Sequence, residues 1–152
     1  MHLKNQYNLP CNIAQTLNII GDKWTLLILR QLSKGHDTYN TILENLEGLP
    51  SNLLSNRLKS LEEDQLIVPV LYQTHPPRYR YELTDSGKDL EDIFNSIILW
   101  GEKHLKKCYK QLVHTSCNYK IKMQYYCPHC ETSVEKNELS ILFENMDETV
   151  SP

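Results

Sequence analysis

Apolar positions recur at spacings of three and four along most of residues 11–108, a period that predicts a helix-rich chain. Ile13, Leu17 and Ile20 form a short stripe that ends at Gly21, and a second helix begins near Lys23. WTLLILRQL is almost wholly apolar and predicts a buried central helix closed by Gly35. Thr38 can cap a third helix over 38–46, with Tyr39, Ile42, Leu43 and Leu46 facing inward. A turn containing Gly48 then leads into PSNLLSNRLKSLEEDQL. Beyond it the period changes: IVPVLYQ and RYRYELT are β-prone runs joined by the turn-forming THPP, as in a hairpin. From Thr84, an N-cap with Asp85 in its first turn, a long helix is expected. Its stripe runs from Leu90 through Phe94, Ile97 and Gly101 to Cys108, widened by Leu99 and Trp100.

At about 100° per residue, Leu54, Leu58 and Leu61 lie on one side of helix 51–64. Asn52, Asn56, Lys59 and Glu63 lie opposite, with Ser55 at the margin. Any solvated amphipathic helix has a polar face, but this one also suits a nucleic-acid groove. Serine and asparagine let a backbone approach closely, asparagine pairs bidentately with adenine, and lysine reaches phosphate or guanine. The context favours the groove, because helix 38–46, the Gly48 turn and helix 51–64 make a helix-turn-helix. A helix pair followed by a hairpin is a winged helix, so the expected fold is mainly α with a small β-hairpin wing. Arg78 and Arg80 alternate with Tyr79 and Tyr81, which makes one face of the second strand cationic. That face suits a phosphate backbone or minor groove, although arginines on an edge strand also discourage aggregation. The residues expected at double-stranded DNA are Ser51, Asn52, Ser55, Asn56, Arg57, Lys59, Arg78 and Arg80.

A net charge of −3 at first argues against that partner. Residues 131–152, however, hold six acids and one lysine, a net −5, while residues 1–130 hold 15 basic and 13 acidic groups. The acidity is in the tail, and the body is mildly positive. A length of 152 residues fits one domain plus an appendage. TLLIL and SIILW are far too short for a membrane span of about 20 residues, and the first ten residues lack an apolar signal region, so a cytoplasmic protein is expected. There is no GxSxG, HExxH or glycine-rich phosphate loop, and no acid pair placed for catalysis, so an enzyme is not expected.

In four ordered pieces the chain resembles the HxlR-type winged helix-turn-helix regulators, relatives of the MarR type. The pieces are CNIAQTLNIIGDKWTLLILRQL, LPSNLLSNRLKSLEEDQLI, HPPRYRYELTDSG and LWGEKH, within about residues 11–104. Asn12 departs from the pattern where a proline is common, and Gln65 where a glycine usually ends the recognition helix. The resemblance implies a homodimeric transcriptional regulator with 51–64 as recognition helix and 67–83 as wing. The long helix from Thr84 carries more apolar surface than so small a domain needs, so it is expected to dimerise together with the N-terminal helix, a lid over the core of its own chain being the alternative. Cys11 opens the first helix, where helix-end amides favour a reactive thiolate. It also matches the cysteine with which some HxlR-type members sense oxidants or electrophiles; a buried structural cysteine is the alternative.

The domain expected over 1–110 leaves 111–152 as an extension. There His114, Cys117, Cys127 and Cys130 are spaced H-x2-C-x9-C-x2-C, a pattern that supplies the four nitrogen and sulfur ligands of a structural zinc site. KIKMQYY between the pairs alternates as one strand of a hairpin would. His129 is a rival ligand, and free thiols or a Cys127–Cys130 disulfide are the other outcomes. Two further functional readings stay open: a winged-helix protein-interaction module, and a metal-sensing repressor that uses the tail cluster.

Overall fold

The computed structural model describes residues 6–142; part of the acidic tail lies outside them. The chain forms two compact units, residues 1–98 and 99–152, so the division falls earlier than the boundary expected after residue 110. The first unit begins with α1 (Asn12–Ile20), α2 (Thr25–Ser33), α3 (Tyr39–Asn45) and α4 (Ser51–Glu63). The hairpin β1 (Ile67–Thr74) and β2 (Pro77–Leu83) follows, then α5 (Asp85–Asp89) and α6 (Glu91–His104). The fold is thus mainly helical with a two-stranded antiparallel wing, as the change of period predicts.

Ile28, Leu29, Ile42, Leu54, Leu61 and Ile67 are fully buried, so α2, α3, α4 and the start of β1 share one core. Thr38 caps α3 with a reciprocal bond to Thr41, which fixes where the helix-turn-helix begins. Helices α2 and α4 end in the same way. The His36 amide donates to Gln31 O and the Gly35 amide to Leu32 O, just as Leu66 donates to Leu61 O and Gln65 to Glu62 O. The turning residue is left-handed in both, Gly35 at φ 86° and Gln65 at φ 58°. A side chain therefore occupies a backbone conformation that glycine adopts more easily.

β1 and β2 pair in register from Ile67–Leu83 to Thr74–Pro77, with an irregularity between Leu71 and Gln73. A bridge between Thr38 and Arg80, and the Tyr81 amide donating to Asp37 O at 2.7 Å, fasten β2 to the entrance of α3. The wing is thereby fixed relative to the helix-turn-helix.

Two elements differ from expectation. The helix from Thr84 is interrupted at Leu90 and ends at His104 instead of running through Cys108. In its first part Gly87 packs so closely on the Leu66 carbonyl that a β-carbon would collide with it. In α1 the stripe splits: Ile20 is buried, while Ile13 and Leu17 are exposed. On α6, Phe94 joins the core, and Ile97 and Trp100 face solvent.

In the second unit KIKMQYY is not one strand. Val113 bridges Lys120 at its start, and Tyr125–Cys127 (β3) pairs forward with Thr132–Val134 (β4) at its end. A 3-10 turn, Lys136–Glu138, follows. Among the described residues no helix is long and apolar enough to cross a membrane.

Candidate nucleic-acid interface

Helix α4 is anchored by Leu54, Leu58 and Leu61, all buried. Opposite them Ser51, Asn52, Ser55, Asn56 and Lys59 are exposed, so five of the expected DNA-facing side chains share an accessible surface. Tyr39 of α3 holds this helix at its start, its hydroxyl donating to the Ser51 carbonyl at 2.7 Å. Ser55 Oγ lies 3.3 Å from the same carbonyl. Lys59 Nζ lies 3.9 Å from Glu63 Oε1, a loose exposed pair that leaves the cation available to another anion.

Arg57 is the exception. Its side chain is only 12% exposed and turns away from the polar face to Asp22, with Nε 3.3 Å from Oδ1. Nε makes no hydrogen bond, so the contact is ionic. Arg57 was expected at DNA; here it is a brace between the α1–α2 turn and α4. The wheel carries the reason, because a residue three places after Leu54 falls about 60° from the apolar stripe, not opposite it.

Asp22 is not among the expected site residues, yet it organises the α1–α2 turn. Its carboxylate accepts the Trp24 and Thr25 amides at 2.9 and 3.2 Å and the Thr25 hydroxyl. Burial works to raise its pKa, but the Thr25 and Trp24 bonds and the Arg57 charge outweigh it, holding the carboxyl below its ordinary 3.8. The available signal was an acid three residues ahead of an apolar helix, the position of a capping side chain.

On the wing Arg78 and Arg80 are exposed two residues apart on β2, opposite Gln73 and Val70. Arg80 is held by Glu82, with Nε and a terminal nitrogen each 3.0 Å from Oε1. Arg78 has no ion pair among the described residues. Thr38, Tyr39, Asn40, Tyr72, Arg78 and Tyr79 line a groove between wing and α3. The Tyr81 phenol beside it is half-buried, and burial, then Glu62, Tyr39 and Tyr79, push its pKa up, so it stays protonated.

Cys11 is exposed and stands at the N-cap of α1, where its side chain makes no capping bond. In the second unit His114 Nδ1 lies 3.3 Å from Cys117 Sγ. The Cys130 amide and thiol and the His129 amide donate to Cys127, lowering its pKa. Among the described residues no three metal-ligating side chains come together.

The family model for the HxlR-like helix-turn-helix matches residues 19–109. An HTH-type transcriptional regulator of Mycobacterium bovis, Mb3122, is 33% identical over 122 residues, 78% of this chain and 77% of the relative. Among solved structures, PA1607 superposes with a TM-score of 0.76 at 24% identity, covering 93% of this chain and all of that one, which shows a shared fold. The redox regulator HypR in its reduced form gives a TM-score of 0.59 at 27% identity, over 63% of this chain and 95% of its own. With the helix-turn-helix, its wing and the matched span all falling on the same residues, the chain belongs to the HxlR-like helix-turn-helix family of transcriptional regulators.

Proposed function

We propose that the protein is a cytoplasmic homodimeric regulator that places two α4 helices in successive major grooves of an inverted-repeat operator, with the wing on the flanking backbone. The observation that carries this reading is the exposed face of α4. Asn52, Ser55, Asn56 and Lys59 offer base-edge and phosphate chemistry without one large apolar side chain, while the opposite face is locked in the core. A protein-docking helix would present apolar or aromatic anchors there instead. Support for the dimer comes from Ile13 on α1, 71% exposed, and Trp100 on α6, 61% exposed. Selection of bound sequences from random duplex DNA tests the reading. Enrichment of two half-sites about 10 base pairs apart is expected, and recovery of no common sequence would refute it. Trp100→Glu should shift the sedimenting species from dimer to monomer.

Regulation through Cys11 is a second part of the proposal. It rests on the exposed thiol at the head of α1 and on the likeness to HypR, a redox regulator. In a Cys127→Ser/Cys130→Ser background, diamide should change operator affinity, and Cys11→Ser should abolish the change. Indifference of the Cys11-containing protein to diamide would remove Cys11 from the mechanism.

A further inference from the structure

Among the described residues of the second unit, 99–142, no side chain is fully buried. So small a unit without a buried core has little apolar burial to hold it, and a cross-link or a metal ordinarily supplies the difference. Within this unit the chain makes two small hairpins, and their turns repeat one another. In the first, the Asn118 amide donates to His114 O at 2.8 Å and the His114 amide to Tyr119 O at 2.9 Å, so residues 114–117 form a closed turn. In the second, residues 128–131 form the tip between β3 and β4, directly after Cys127.

The residue after the last sulfur is left-handed in both turns, Asn118 at φ 55° and Glu131 at φ 52°. That conformation is costly for any residue but glycine, yet it recurs at the same place and gives both turns the same sense. Each turn also brings its two ligand-type side chains together. His114 Nδ1 faces Cys117 Sγ at 3.3 Å. Cys127 has the Cys130 thiol and the backbone amides of His129 and Cys130 beside it.

We propose that these two turns are the halves of one structural zinc site, with His114, Cys117, Cys127 and Cys130 as its four ligands. Three soft sulfurs and one imidazole suit a tetrahedral, redox-inert zinc ion better than hard-ligand cations such as magnesium or calcium. The two pairs are not gathered into one cluster among the described residues, so binding draws the two hairpins together. On binding, the three thiols release their protons to solvent, and the site carries a net charge of −1. The metal replaces the missing core as the cross-link of the unit.

The test uses the full-length chain, reconstituted with zinc chloride under reducing conditions and examined by native mass spectrometry. About one zinc per chain is expected, as a four-ligand site requires. His114→Ala, Cys117→Ser and Cys130→Ser should each lose it, whereas His129→Ala should keep it, since His129 lies inside the turn between Cys127 and Cys130 and is adjacent in sequence to a ligand. Chelation should speed amide exchange over residues 112–134 and leave residues 25–63 protected, with operator binding retained. A chain that takes up no zinc, that retains zinc in Cys117→Ser, or that instead forms a Cys127–Cys130 disulfide while reductant is present overturns the site. Loss of operator binding on chelation overturns its structural role in favour of metal sensing.

Discussion

Asn52 and Asn56 stand one turn apart on α4 with side chains exposed. Replacing either by alanine should cost about 1–3 kcal/mol of specific binding where a bidentate base contact is lost, with thermal stability unchanged; unaltered operator affinity in both variants would move the recognition face elsewhere. Arg57 and Asp22 act on stability instead. Asp22→Asn should destabilise the fold near neutral pH by about 1–3 kcal/mol, by leaving a largely buried guanidinium without its counter-charge. Because the folded-state pKa of Asp22 lies below 3.8, its stabilisation is complete above that value and is lost as pH falls through the folded value. The gap between wild type and variant in urea unfolding should therefore narrow from about pH 4 downward. The exposure of the two asparagines was legible because they sit opposite a leucine stripe. The brace was not, because Asp22 and Arg57 lie on separate elements that meet only when the core forms.

At the scale of elements, the helix-turn-helix and the wing could be read from period and punctuation. Thr38 caps its helix, and the alternation in RYRYELT becomes β2. KIKMQYY misled for a physical reason: seven alternating residues fit a strand, but hydrogen bonds to different partners at its two ends divide it. The long helix is shorter than its apolar spacing suggests, because that spacing continues unbroken through the interruption at Leu90 and past the end at His104. Gln65, read as a departure from a glycine position, does adopt φ 58°. Gln65→Gly should raise stability by about 0.5–1 kcal/mol, the relief of a left-handed side chain less the added freedom of the unfolded chain. The Thr84 hydroxyl bonds the Gln65 backbone carbonyl at 2.7 Å and survives the change. A fall in the urea midpoint would show that the glutamine side chain contributes more than its conformation costs.

For the whole molecule, an acidic total charge conceals a mildly basic body over residues 1–130. Arg78→Ala should weaken binding to operator and random DNA alike and reduce the slope of log K against log salt by about 0.9, one phosphate contact; loss at a single base position would instead make Arg78 a base reader. The division of the chain was only partly legible, since the apolar stripe of α6 continues past the point where the two units separate. The pairing of Arg80 with Glu82 has a kinetic consequence. If the wing lies on the DNA backbone as proposed, a phosphate must compete with this carboxylate for Arg80, so a non-specific contact exchanges one anion for another and gains little. On the proposed reading, the protein should leave wrong sites quickly and dwell only where α4 finds its bases. Glu82→Gln should lengthen residence on random duplexes in single-molecule tracking and slow the search for the operator.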